Sequence, residues 1–244
     1  MGDILNIQNL NNFIGRYKKS NKGVEKYIGW LAEDGLYEKF PILSLRNRNR
    51  DDDEWPHTWA KNRNLRIAVR LVGDSLSGWQ AYRPSKSEKV IKRLCETVPG
   101  IIIDLNKQFV KHSVYSADDL SKRGNDKIVN KINEAVCKIS TLKKSDSPML
   151  GSKVLHHFFP EIIPVYDTMW IANKSLKGRK IGKDYKKYME FMIEEIRTTK
   201  KREIRKIENV YIKHTTIPKQ VVNFHFHRLT PIIFEACLLG TISI

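Results

Sequence analysis

The sequence predicts a mostly α-helical protein. Two observations carry that expectation. Apolar residues recur at three- and four-residue spacing along most of the chain, and the Val/Ile/aromatic alternation of half-buried strands rarely persists. In order, helices are expected over about 7–19, 22–33, 57–71 and 86–97. The last of these is entered through Ser85 or Ser87 and ended near Pro99-Gly100. A short irregular or β piece is expected around 37–45 or 66–73. Ile128, Ile132, Ala135, Val136, Ile139 and Leu142 then form one face of a helix covering about 118–143. Ser147-Pro148 has the form of an N-cap followed by proline at the first helical position, setting a helix from about 148 to 158. The next helix begins at Asp167. A further one starts near Tyr185 and is expected to run on through Ile204, Ile207 and Tyr211. In the last, led by Val221 and Val222, Pro231 forces a break or kink.

At 244 residues the chain can bury a substantial core, and no internal repeat is visible. The expected organisation is a single domain over 1–244, with an N-terminal helical layer (1–60) on a helical core (61–244) that carries the site. The charged run Arg46–Glu54 and the Lys174–Lys183 segment are candidate linkers. The N-terminus has no basic-then-apolar signal pattern, and Asn6 occupies the position where a myristoylation motif needs Ser or Thr. No apolar run approaches membrane-spanning length. Cys95, Cys137 and Cys237 are widely spaced without a CxxC, which reads as reduced core residues of a cytoplasmic protein.

The formal net charge is +17, and it is unevenly spread. Residues 1–60 and 220–244 are each neutral overall, 61–170 carry +8, and 171–219 carry +9. Such a field attracts polyanions and steers them in a salt-dependent way, so the expected partner is nucleic acid. A solvated basic face on a soluble protein is the alternative.

The densest charge follows the most informative stretch, Pro148 to Asn173. Pro160 and Pro164 confine the connection after the 148–158 helix, and Val165-Tyr166-Asp167 delivers an acid to the next N-cap. Lys153 and Asp167, fourteen residues apart, are thereby brought together across one turn. Free N–H groups and the helix dipole favour the ionised carboxylate at such a position. A fixed negative charge stabilises the positive charge that builds on a sugar as its N-glycosidic bond breaks. The same carboxylate can orient a water or take a proton, and Lys153 can act as an amine nucleophile or a phosphate contact. Ordinary capping by Asp167 and a solvated Lys153 are the alternatives.

Two segments resemble a known family. Gly151-Ser152-Lys153-Val154 is similar to the Gly-Thr-Lys-Val of the 8-oxoguanine glycosylase-like branch of the helix-hairpin-helix DNA glycosylases. Ile163-Pro164-Val165-Tyr166-Asp167-Thr168-Met169-Trp170 is similar to that branch's Val-Pro-Val-Asp-(two residues)-Met-Trp. The resemblance spans roughly Met149 to Leu176 and implies a helix-hairpin-helix core, with Asp167 as catalytic aspartate and Lys153 as Schiff-base nucleophile. Met149-Leu150-Gly151-Ser152 stands where the family has Leu-Pro-Gly-Val-Gly, and the Lys-to-Asp interval is several residues shorter than the family's.

The function implied is a DNA N-glycosylase that needs no metal or organic cofactor and works as a monomer on double-stranded DNA. Short bacterial members of this type include antiphage enzymes that remove bulky modified bases such as glucosylated hydroxymethylcytosine. An 8-oxoguanine-type repair glycosylase/lyase is the second reading, and a non-catalytic helical nucleic-acid-binding protein the third.

Other residues fill out the expected site. A glycosylase extrudes its target nucleotide and holds the base between flat side chains. Trp55, Trp59, Trp170, His156 and His157 are the candidates for that pocket, with Trp79 and Tyr82 near them in type. Gly151, Ser152, Lys143, Lys144, Lys177, Arg179 and Lys180 are candidate DNA contacts, together with Arg48, Arg50 and Lys174. Asp51–Glu54 reads as a solvated acidic loop rather than a metal-nuclease cluster, and His225-Phe226-His227 lacks zinc-ligand spacing.

Overall fold

The computed structural model describes residues 4–19, 64–78, 82, 86–122, 126–143, 147–179, 181–214 and 230–242. These residues are predominantly helical, and no strand occurs among them. The helices are α1 (Ile7–Lys19), α2 (Asn64–Gly78), α3 (Ser87–Lys111), α4 (Ala117–Lys122), α5 (Asp126–Ser140), α6 (Met149–Phe158), α7 (Tyr185–Thr198), α8 (Lys201–Lys213) and α9 (Thr230–Gly240). A 3-10 turn, Thr141–Lys143, ends α5, and a π-helical segment covers Thr168–Ser175. The expected helix at 22–33 and the piece at 37–45 lie outside the described residues.

The core is organised by α9. All eleven of its residues are buried, which marks a helix surrounded by protein on every side. It packs against α1, α7, α8 and the π-helical segment. The approach to α1 is close: a Cβ at Gly240 would lie 1.8 Å from the Asn9 carbonyl oxygen. The N-terminal residues join this core directly. Ile4, Leu5, Leu10 and Phe13 are buried, and the Ile4 amide donates to the buried Glu195 carboxylate at 3.0 Å.

Several elements differ from their expected form. The helix expected to stop near Pro99-Gly100 runs on to Lys111 as α3. Its buried stripe of Val90, Ile91, Leu94 and Val98 continues through Ile101, Ile102, Leu105 and Phe109. Burying those four later side chains, at roughly 1.5–3 kcal/mol each, outweighs the ~3 kcal/mol cost of a mid-helix proline. The possible β piece at 66–73 is part of α2, whose Leu65, Ala68, Val69, Val72 and Leu76 face the core at helical spacing.

The expected 118–143 helix is divided into α4, α5 and the 3-10 turn. The run expected from Tyr185 to Tyr211 breaks at Thr199-Lys200, both extended. After the break the two halves share α9 and differ in their other partners, with α7 against α4 and α5 and α8 against α1. Pro231 sits in the first turn of α9, where its missing N–H is tolerated, so it opens a helix rather than kinking one. Cys237 is buried but Cys137 is exposed, so the three cysteines, all free, are not uniformly core residues.

The pair α5/α6 positions the site. Gly151 of α6 lies against the backbone of α5, and a Cβ there would fall 2.0 Å from the Val136 carbonyl oxygen. Its amide also donates to Ser140 Oγ at 2.9 Å. Gly151→Ala therefore has no room unless the helices part. We expect it to lower stability by about 1–3 kcal/mol, measured as a shift in the urea midpoint with an unchanged slope.

Candidate functional site

Lys153 and Asp167 meet. Lys153 Nζ lies 3.3 Å from Asp167 Oδ2, with the lysine side chain 11 % and the carboxylate 22 % exposed. Lys153 projects from the second turn of α6. Asp167 stands at the N-cap of the π-helical segment, its carbonyl accepting from both the Ile171 and Ala172 amides at 3.0 Å. The start of α6 is one residue later than expected: Pro148 is the N-cap, and Ser147 Oγ accepts from the Met149 amide at 3.4 Å.

What delivers Asp167 is the extended chain before it, clamped at successive residues. His156 Nδ1 lies 2.6 Å from the Ile163 carbonyl oxygen. The Pro164 carbonyl accepts from Tyr185 Oη at 2.8 Å, and the Val165 carbonyl accepts from Tyr188 Oη at 3.1 Å. The Val165 amide donates to the buried Glu235 carboxylate. The Tyr166 amide donates to Oγ of Ser152, the residue before Lys153, at 3.0 Å. Tyr166 Oη in turn donates to the carbonyl of Gly182, a glycine in the left-handed region with φ +55°. Backbone groups of a buried connection need such partners, because an orphaned one costs about 1–3 kcal/mol. Here side chains of α6, α7 and α9 supply them.

Burial dominates the titration of these groups. Burial, with a smaller push from the Glu235 charge, raises the Tyr185 and Tyr188 phenols well above their ordinary value, so both are hydrogen-bond donors at neutral pH. His156 is pushed down to about 4 by burial, partly opposed by its bond to the Ile163 carbonyl, and so is neutral with Nδ1–H donating. His157 is lowered too, by burial and then by the charges of His156 and Lys153.

The other expected site residues distribute differently. His156 and His157 are buried within α6 rather than lining a base pocket, His156 holding backbone and His157 lying close enough to Lys153 to feel its charge. Gly151 and Ser152 are also buried, with the Gly151 amide and Ser152 Oγ engaged by Ser140 and Tyr166, so they serve packing rather than a phosphate. Lys143, expected on the DNA-facing surface, is only 4 % exposed; burial and then the Lys153 charge depress its ammonium. Lys174, Lys177 and Arg179 are exposed on and after the π-helical segment, with the Arg179 guanidinium 4.7 Å over the Phe191 ring. Tyr82 is a core residue, donating to the Gly73 carbonyl at 2.7 Å.

Trp55, Trp59, Trp79, Lys144, Lys180, Arg48, Arg50, Asp51–Glu54 and His225–His227 lie outside the described residues, as does the side chain of Trp170. The residues that sequence reading passed over are Ser152 as a clamp, Tyr185, Tyr188 and Glu235. Glu235 did carry a signal, being the one acid in an otherwise apolar helix, Thr-Pro-Ile-Ile-Phe-Glu-Ala-Cys-Leu-Leu-Gly.

Described residues line at least two clefts. One lies between α2 and α3 and is lined chiefly by Arg66, Arg70, Lys86, Lys89 and Lys92; another lies among α4, α7 and α8. Neither is lined by Lys153 or Asp167. No group of three or more His, Cys, Asp or Glu with metal-site geometry occurs among the described residues. Nor, among them, is any helix long and apolar enough to cross a membrane.

Comparison with protein families, with curated proteins and with solved structures finds no match to this chain.

The buried histidines generate a pH prediction. An unfolded histidine takes up a proton near 6.5, whereas folded His156 does so only near 4. The unfolded state therefore binds more protons across that window. Stability is complete above about pH 6.5 and is lost as the pH falls toward 4, by roughly 3 kcal/mol for His156 alone. His157 adds a loss of the same sign. Urea unfolding at about pH 7 and about pH 4.5 measures this, and His156→Phe is expected to flatten the dependence.

Proposed function

We propose that this protein is a DNA N-glycosylase in which Asp167 stabilises the sugar cation and Lys153 supplies an amine at the same centre. The single observation that carries the reading is the 3.3 Å approach of Lys153 Nζ to Asp167 Oδ2 at a helical N-terminus, with the carboxylate still partly open to solvent. The excess of basic residues supports DNA as the polyanion. The helix-hairpin-helix relationship, with α5 and α6 as the helical pair, belongs to the same proposal and rests on the resemblance of the segments around Lys153 and Asp167.

In the mechanism, the flipped nucleotide places its C1′ beside the Asp167 carboxylate. The C1′–N bond breaks with its electron pair leaving on the base, which is protonated as it departs. The sugar becomes cationic, and the fixed carboxylate offsets that charge without reorganisation. Water completes hydrolysis by adding hydroxyl to C1′ and releasing a proton. In the lyase branch the Lys153 ammonium first passes a proton to the Asp167 carboxylate, and the free amine adds to C1′ in place of water. Ring opening then gives a Schiff base, and β-elimination breaks the strand on the 3′ side. A bulky modified cytosine of phage DNA is the proposed substrate, and an oxidised purine the second.

The same ion pair also favours one alternative, a nucleic-acid-binding protein in which Lys153 and Asp167 simply satisfy each other. Asp167→Asn separates the two. On the glycosylase reading, base release from modified DNA, followed by mass spectrometry of the freed base, falls at least about 100-fold while duplex affinity stays within about threefold. Unchanged release with normal binding contradicts the mechanism. Borohydride reduction is expected to trap a covalent DNA adduct with the wild type and none with Lys153→Gln. A trapped adduct that persists in Lys153→Gln removes the lysine from the nucleophile role.

A further inference from the structure

The junction between α7 and α8 opens onto a cleft of about 340 Å³ lined by residues of α4, α7 and α8. Thr199 lines this cleft and is 8 % exposed, yet its Oγ1 has no hydrogen-bond partner. A buried hydroxyl without a partner costs free energy, so its presence at the wall of a cleft points to a ligand atom that completes it. α8 begins two residues further on, at Lys201. It has 13 residues, and its N-cap, Lys200, provides no side-chain acceptor for the opening amides.

The cleft is lined by more basic than acidic residues. Lys122, Arg197, Lys201 and Arg205 line the cleft against a single acid, Asp118. Asp118 Oδ1 already accepts from Thr230 Oγ1 at 3.1 Å. Lys122 is paired with Asp119 at 2.6 Å, and Arg197 with Glu194. Glu203, in the first turn of α8, is paired with Lys206 at 2.9 Å. Lys201 and Arg205 form no salt bridge among the described residues.

We infer that the α7–α8 junction is a phosphate-binding site. Thr199 Oγ1–H and the opening amides of α8 donate to phosphate oxygens, while Lys201 and Arg205 neutralise the charge. The source of the phosphate, a DNA backbone, rests on the glycosylase reading. α7 ties the two places together: Tyr188 holds the Val165 carbonyl beside Asp167, and Thr199 follows the last residue of the same helix. The site thus takes a backbone phosphate of the duplex that carries the excised base.

The test has two arms on the full chain. In the first, inorganic phosphate is titrated against the amide resonances of Thr199 and Lys201 in the wild type and in Thr199→Val. In the second, duplex affinity is measured across a salt series for the wild type and for Lys201→Gln/Arg205→Gln. We expect phosphate to move both resonances in the wild type only, with the thermal midpoint of Thr199→Val no lower than that of the wild type. We expect the double variant to lose about threefold to tenfold in affinity at low salt, with the salt slope reduced by about one. Phosphate binding with unchanged duplex affinity keeps the site and assigns it to a free phosphate. Phosphate binding by a wild type that binds no DNA keeps the site and overturns the glycosylase reading. No response in either arm, while wild-type DNA binding is intact, overturns the site and leaves that reading standing.

Discussion

The structure depends on one stretch of extended backbone, Ile163 to Tyr166, held by side chains from three helices. Each polar group of that stretch that faces the interior finds a partner: His156 for one carbonyl, Tyr185 and Tyr188 for the next two, Glu235 and Ser152 for two amides. Proline at 164 removes one amide that would otherwise need an acceptor. The result is a rigid strap that ends in Asp167. Rigidity matters because electrostatic stabilisation of a transient cation is worth most when the charge is already in place.

The pairing of Asp167 with Lys153 has its own energetic logic. Both charges are mostly withdrawn from water, so each would be costly alone, and their mutual attraction offsets that cost. Removing one partner takes away part of what offsets the burial of the other. The neighbourhood raises the stakes, since Lys143 and His157 both lie near the Lys153 ammonium and both are shifted toward neutrality. Asp167 therefore lies close to several basic groups. A sugar cation forming there would meet Asp167 as the nearest compensating charge.

How much of this was legible follows from how local each feature is. The meeting of Lys153 and Asp167 was readable because both ends sit within one turn, confined by Pro160 and Pro164. The helices were readable wherever one apolar stripe held its phase, as in α1 and α5. Boundaries were not, where a stripe continued past a local breaker (Pro99) or where two stripes happened to stay in phase across a break (Thr199-Lys200). The strap's partners were invisible because Ser152, Tyr185 and Glu235 come from distant parts of the chain. Polar residue types also misled: His156, His157 and Lys143 read as pocket or surface groups. α6 is buried nearly all round, so even its basic side chains are drawn inside.

The central claim is that the Asp167 carboxylate is built to face a cationic sugar. Affinity for duplexes carrying two abasic-site analogues tests it most directly, one a cationic pyrrolidine and the other a neutral tetrahydrofuran of the same shape. The account predicts that the cationic duplex binds at least about 100-fold more tightly, and that the preference disappears when Asp167 is replaced by Asn. Equal affinity for the two duplexes would contradict it.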